Sequence, residues 1–382
     1  MLRFLTKFLL FVIPWVLLGM LPCYILFSTK ENFHQLDRTI IKNTPYIIGY
    51  AYNESNYRYL KWAHLNYHPK YDVIALGSSR VLQLRDFMFN ERFYNAGYTI
   101  TSVNDFKPFL ESVPESKLPK TILIGLDQWM FNENWDQLRS FKDKSFWKKS
   151  YSPTPTFATL QNVYSDVFTG KYLLPHEPDS AGISWVGLNA TVNKKGFRND
   201  GSISYGAEIL GPHFKPVFIP DSVFDDTFRR IKGGVNRFEF GDKPNQRAYE
   251  RLELFLRFCK EKEISVVGFL SPFAPKVYDK LQTTAKHKYM FDIFPQLQTL
   301  FQKRGYKVFD FTSAQSFGSH DEEFIDGFHG GEVAYAKILL EIAKSDSALE
   351  RHVDVSKLRD AVTRNSQRRT ISVPDNGMLV NQ

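Results

Sequence analysis

The sequence predicts an α/β protein with a largely parallel sheet, tethered by one N-terminal transmembrane helix. Three patterns predict it. Residues 8–27 (FLLFVIPWVLLGMLPCYILF) carry no charge. Beyond residue 71, short apolar runs bounded by turn residues alternate with amphipathic stretches, the rhythm of strand–helix units. The 382 residues are 43% hydrophobic and 24% charged, a balance that folds rather than stays disordered.

Taken in order, the apolar run comes first, and its length of about 20 residues at ~1.5 Å per residue matches a ~30 Å hydrocarbon core. Pro14 and Pro22 are tolerated in lipid. Arg3 and Lys7 precede the run, while Lys30 on the far side is offset by Glu31, so the positive-inside rule places residues 1–7 in the cytoplasm and the rest of the chain outside. A cleaved signal peptide fits less well, because the run is long and no small-residue cleavage site follows Phe27; Pro22 argues against a lipid-modified Cys23. Residues 28–70, polar and aromatic, read as a connector. A domain over 71–345 follows, with strands at 72–76 (DVIAL), 93–95 (FYN), 121–125 (TILIG), 265–270 (SVVGFL) and 307–311 (KVFDF). Helices are expected at 103–112, 246–262, 287–304 and 331–342. In the second of these, Tyr249, Leu252, Leu254, Phe255 and Phe258 share an apolar face fit to cover a sheet. Residues 130–245 break the rhythm and read as an insertion forming a lid or substrate wall. Residues 346–382 are a polar tail whose last ~15 residues are expected to be disordered.

The net charge of +8 suits an anionic partner such as a phosphorylated polymer, an acidic glycan or a lipid headgroup surface. Nucleic acid is disfavoured, since no dense basic run interleaved with aromatics stands outside 364–369. Two cysteines, one of them in the apolar run, build no disulfide framework. The histidines lack metal-ligand spacing, and neither a P-loop nor a dinucleotide fingerprint is present, so neither metal nor cofactor is expected.

Two segments carry chemistry. In DVIALGSSR (72–80) an apolar strand runs into Gly77, Ser78 and Ser79. Such a turn lets Ser79 stand clear of the sheet, and backbone N–H groups of a following helix can stabilise an oxyanion. In FIDGFHGG (324–331), Asp326 and His329 stand three apart before a helix. A serine hydroxyl needs an imidazole to take its proton, and the imidazole needs a carboxylate to fix its tautomer. Each segment alone is more often a capped turn than a site; together, in this order, they name Ser79, Asp326 and His329 as catalytic candidates.

The combination resembles the SGNH (GDSL-type) hydrolase family, whose fold is a flavodoxin-like three-layer sheet. The resemblance makes Ser79 the nucleophile, with Ser78 where the family usually has aspartate, and Asp326 and His329 its partners. Asn95-Ala96-Gly97 is similar to the second block, which implies that the Gly97 N–H serves the oxyanion hole. The third block departs: Gly125-Leu126-Asp127-Gln128 stands where the family has G-x-N-D. An ionised Asp127 would repel an oxyanion, so either it points away, as a turn or cap residue would, or Gln128 or Asn132 replaces the donor, or the site is not a standard esterase. Arg80, Asn95, Gly97, Asp127 and Gln128 are thus the candidate oxyanion and substrate contacts.

The Gly-Ser-Ser variant with an N-terminal anchor resembles more specifically the membrane-tethered branch that includes D-alanyl transfer proteins of teichoic acids and polysaccharide O-acetyltransferases. That implies a single-pass protein of the bacterial cytoplasmic membrane with its domain outside, a membrane-bound O-acyltransferase as partner, and an acyl-serine that is attacked by a sugar or polyol hydroxyl of an envelope or secreted polymer. An ester hydrolase of the same fold and a catalytically silent polymer-binding subunit are the alternatives. GFRNDGSISYG (196–206) reads as a pair of turns before it reads as a sugar loop using Arg198 and Asp200. Trp129, Trp135, Trp147 and Trp185 read as fillers of the insertion's own core.

Overall fold

The computed structural model describes residues 2–42, 44–171, 182–206, 221 and 223–371. The chain forms two compact units, a smaller one of Met1–Asn56, Tyr151–Arg198 and Ser204–Val217 and a larger one of Tyr57–Ser150, Asn199–Ile203 and Phe218–Gln382. Among the described residues the strands are β1 (Tyr46–Ile48), β2 (Val73–Leu76), β3 (Phe93–Asn95), β4 (Thr121–Leu126), β5 (Ser184–Val186), β6 (Gly196–Phe197), β7 (Ile203–Ser204), β8 (Ser265–Leu270) and β9 (Lys307–Asp310). The five strands expected in the domain thus fall within a residue or so of their predicted places.

In the larger unit those five make one parallel sheet, ordered β3-β2-β4-β8-β9. β2 and β4 are buried along their whole length, as near-continuous apolar runs are when helices cover both faces. Neighbouring residues of β8 show the two faces: a side chain added at Gly268 would strike Phe301 of the helix Phe294–Gln302, while Phe269 packs edge-on against Tyr335 of the helix Glu332–Ser345. The chain passes from β2 outward to β3, then back across β2 to β4, so the loops leaving β2 and β4 diverge at a topological switch point, where open α/β sheets bind ligands.

The expected helix at 287–304 is broken into a 3-10 turn at Lys288–Phe291 and the helix Phe294–Gln302, because Pro295, which has no N–H to donate, must sit in a first turn. The stretch read as a connector is ordered structure. It holds the helix Leu36–Lys42, strand β1 and the helix Asn56–Tyr67, whose Tyr57, Leu60 and Ala63 are buried. Its tyrosines and tryptophan hid a buried face in a polar-looking composition. The expected insertion divides, residues 130–150 belonging to the larger unit and 151–198 to the smaller. The tail carries the helices Ser347–Glu350 and Val355–Arg364, with Leu349 and Leu358 buried; residues 372–382, where disorder was expected, lie outside the described residues.

In the smaller unit β1 pairs in parallel with β5 and antiparallel with β6. The N-terminal helix Leu2–Ser28 is long and apolar enough to cross a membrane. Its last turns pack Ile25 and Leu26 with Val163 and Leu188, flanked by Leu160 and Val167 of the helix Phe157–Phe168. Just beyond it, the buried Glu31 carboxylate accepts the N–H groups of Ala51, Tyr52, Asn53 and Leu188, so the chain leaving the helix is fixed by hydrogen bonds. Burial pushes that carboxyl above its ordinary value, with the four N–H groups opposing the shift.

Candidate active site

Everything at the site starts from how tightly the turn after β2 is pressed onto the sheet. Ser79–Val81 form one 3-10 turn, capped by the Ser78 hydroxyl accepting the Arg80 N–H at 3.2 Å. Val81 lies in a hollow floored by glycines: a β-carbon on Gly77, Gly97 or Gly125 would come within 2.9, 2.7 or 2.2 Å of its methyl groups. The glycines of the three sequence blocks therefore have a steric task in common, which is to let this turn descend. Asn95 pins it from the side, its Nδ2 donating to the carbonyls of Val81 and Leu84 at 2.8 and 2.9 Å.

Ser79 Oγ is 2.8 Å from His329 Nε2, across 250 residues of sequence. His329 Nδ1 is 2.7 Å from Asp326 Oδ2, and Asp326 Oδ1 accepts the N–H groups of Phe328 at 2.9 Å and His329 at 2.8 Å. The D-x-x-H spacing has a local cause: residue 326 closes the turn through its own side chain, which puts the ring two atoms away on the other oxygen. Burial raises the Asp326 carboxyl, but the His329 ring and the two backbone donors together outweigh it and hold the group below its ordinary value. An ionised carboxylate fixing Nδ1–H leaves Nε2 free to accept the serine proton.

Arg80 ties the two halves. It is buried, its Nε donating to the Phe328 carbonyl at 2.8 Å, Nη1 to Gln128 Oε1 at 2.8 Å, and Nη2 to the Pro272 carbonyl. Its Cζ lies over the rings of Trp129 and Phe273, 5.0 and 4.6 Å from their centroids. Buried and with each of its three nitrogens donating, Arg80 joins the serine turn to the histidine loop and offers no exposed donor, so the expectation of a substrate contact is corrected.

Three further expectations change for the same reason, that the groups are already in use. The Gly97 N–H donates to Asn95 Oδ1 at 2.9 Å rather than pointing free into the site. Gln128 Nε2 donates to Ser271 O at 2.8 Å and to Thr312 Oγ1 at 3.1 Å, which leaves it no hydrogen for an oxyanion. Asn132 Nδ2 turns to the Glu239 carbonyl at 2.7 Å. Asp127 does occupy the cap position of the 3-10 turn Gln128–Phe131, yet its side chain caps nothing. It lies 3.6 Å from Arg80 Nη1, and its Oδ2 is buried without a hydrogen-bond partner. Burial raises its carboxyl, with Arg80 and the Ser78 hydroxyl pulling the other way. The backbone N–H of Ser79, at the start of its 3-10 turn, has no protein partner among the described residues and could receive an oxyanion.

Arg237 was not singled out in the sequence, because it lies in a stretch without periodicity. Its guanidinium, half-buried, faces Trp129 at 5.4 Å, and among the described residues no carboxylate pairs with it. Phe238 beside it is buried against Phe273 and Phe328, the residue next to His329. The other aromatics read as fillers divide: Trp147 is buried and donates to the Thr99 carbonyl at 3.1 Å, whereas Trp135 is exposed. Asp200 receives the Ser202 N–H at 2.8 Å as a turn residue does, and it lifts its neighbour Asp86, already raised by burial, to about 6. Among the described residues no group of histidine, cysteine and carboxylate side chains is placed to hold a metal. No known family, curated protein or solved structure matches the chain.

Proposed function

We propose that this chain is an SGNH-type serine acyl-transfer enzyme of the bacterial cytoplasmic membrane, held by its N-terminal helix with the catalytic unit outside. The observation that carries the reading is the unbroken hydrogen-bonded line from Ser79 through His329 to Asp326. In the proposed cycle His329 Nε2 takes the Ser79 proton as Oγ attacks an acyl carbonyl. The tetrahedral oxyanion rests on the Ser79 N–H, and collapse releases the donor's leaving group, to which His329 returns the proton. A sugar or polyol hydroxyl, deprotonated by the same ring, then attacks the acyl-serine and regenerates Oγ–H. The flavodoxin-like three-layer SGNH arrangement, with the 130–245 insertion as a lid, belongs to the same reading.

The acceptor is proposed to be an envelope or secreted polysaccharide, and a membrane-bound O-acyltransferase is the proposed source of the acyl group. The net charge of +8 and the unpaired Arg237 support an acceptor carrying negative charge. The scarcity of free oxyanion donors, with Gly97 and Gln128 engaged and Asp127 in the donor's place, favours a second reading, a silent polymer-binding subunit.

Labelling of the full-length protein with a fluorophosphonate decides between them. Covalent labelling that Ser79→Ala abolishes is the expected result, and absence of labelling in the unmodified chain would leave the silent reading standing. Acyl release from a model ester that accelerates on addition of glycan marks a transferase; release indifferent to glycan marks the hydrolase.

A further inference from the structure

The last turns of the N-terminal helix have a hydrogen-bonding problem written into them. In an α-helix the Leu18 carbonyl accepts the N–H of the fourth residue on, and that residue is Pro22, which has none. A carbonyl left bare in hydrocarbon is costly, because no water is there to donate to it. Here the Tyr164 hydroxyl of the helix Phe157–Phe168 donates to it.

That bond fixes where the second helix lies. The candidate span Arg3–Ser28 is 26 residues, or ~39 Å, against a hydrocarbon core of ~30 Å. Even if the core begins directly after Arg3, its ~20 residues extend to about Cys23, and Leu18 lies inside it. Tyr164 therefore sits at or below the lipid boundary. Its helix carries two stripes. Leu160, Val163 and Val167 pack toward Ile25 and Leu26 of the span. Phe157, Tyr164 and Phe168, at spacings of seven and four, form a neighbouring stripe whose ends are 75% and 74% exposed, and Tyr164 stacks on Phe168.

We propose that the helix Phe157–Phe168 is a second membrane contact, lying against the span with Phe168 and Tyr164 among the acyl chains. The proposal rests on reading the N-terminal helix as a membrane span. The occupant of the aromatic stripe is lipid, because the stripe continues the lipid-facing surface of the span at the depth of Leu18, and aromatic residues with a polar tip favour that boundary.

The test uses the full-length chain in phosphatidylcholine–phosphatidylglycerol vesicles containing a phospholipid with a diazirine on its acyl chain. After irradiation, adducts are mapped by peptide mass spectrometry. Adducts on both residues 2–28 and residues 157–168 are expected, with Phe168→Glu, a change at an exposed position, removing several-fold of the second set while sparing the first. Adducts confined to 2–28 would overturn the proposal and leave the anchor intact; adducts on neither would overturn the anchor reading with it. The bond itself is tested by coupling. Tyr164→Phe should lower the unfolding temperature in detergent, and should do so far less in a Pro22→Ala background, where the Leu18 carbonyl regains its helical donor. Equal losses in both backgrounds would remove the Pro22 argument.

Discussion

Asp326 and Asp127 are carboxylates on two loops that meet beside Ser79, and the surroundings treat them oppositely. Asp326 receives three hydrogen bonds and is held below its ordinary ionisation range. Asp127 has a cation at 3.6 Å, an oxygen without any donor, and a carboxyl raised by burial. Asp326 faces an imidazole ring and Asp127 a guanidinium, yet it is Asp326, without a fixed cation on it, that is the better stabilised. The number of aimed donors separates them. A carboxylate with its lone pairs filled is a fixed anion that can orient an imidazole; one left partly bare is held in place by Arg80 and is poorly made for that task.

The largest effect that would break this contrast is on turnover. Asp326→Asn is expected to cut kcat for ester cleavage on the order of 10⁴-fold, because the amide leaves the wrong tautomer of His329 facing Ser79. Asp127→Asn should change kcat by less than about tenfold, since no reacting atom depends on it. Comparable losses from the two would show that Asp127 is part of the reacting machinery.

On stability the order reverses. Arg80→Met leaves Asp127 buried without its cation and removes a donor from the Phe328 and Pro272 carbonyls, a loss of about 3–5 kcal/mol for breaking a buried pair from one side. The double variant Arg80→Met/Asp127→Leu, with neither charge present, should recover much of it. Chemical denaturation of the three proteins reads this directly, and a double variant no better than the single one would locate the cost in the carbonyls instead.

Proton linkage sharpens the same contrast. Asp326 is depressed in the folded chain, so the stability its ionised form confers is fully present above the unfolded-state value of ~3.9 and is lost as pH falls through the lower folded value. The gap in unfolding temperature between the unmodified chain and Asp326→Asn should hold down to about pH 4 and close below it. For Asp127, raised by burial, the sign is opposite: whatever stability it confers relative to Asp127→Asn is present in acid and declines as pH rises through its folded value. Gaps that move together with pH would refute the assignment of the two environments.

What the sequence revealed follows the range of the forces involved. The strand into Gly77-Ser78-Ser79 and the turn Asp326–His329 are local devices, each readable within nine residues, and the structure brings them within hydrogen-bonding distance. The fate of Gln128 and Asp127 was not readable, because it depends on groups far along the chain: the Ser271 carbonyl and the Thr312 hydroxyl take the amide, and Arg80 faces the acid; Gly97 was misjudged for a local reason, since Asn95 two residues earlier takes its N–H. A motif states which atoms are present but not which are already bonded. The stretch 28–70 was misread for another reason, since its buried tyrosines and tryptophan are scattered among Asn, Lys, Arg and His and make no long apolar run.

Arg237 gives the smallest expected effect and the finest probe. The Arg237 guanidinium lies over Trp129 and lowers the Asp127 carboxyl from a distance without an ion pair among the described residues, so under the proposed function it is the charge that meets an anionic acceptor, and cation–π contact with the indole offsets part of its desolvation. Its neighbour Phe238 anchors it beside Phe328 and His329, so an anion held there would lie at the rim of the reacting groups. Arg237→Gln should therefore lower kcat/KM for an aryl ester bearing a carboxylate about tenfold more than for its uncharged analogue, a difference of about 1.4 kcal/mol. Added salt should shrink that difference in the unmodified protein, because a half-buried charge is screened. Equal losses on both esters would make Arg237 a structural partner of Trp129, and the case for a charged acceptor would then rest on net charge alone.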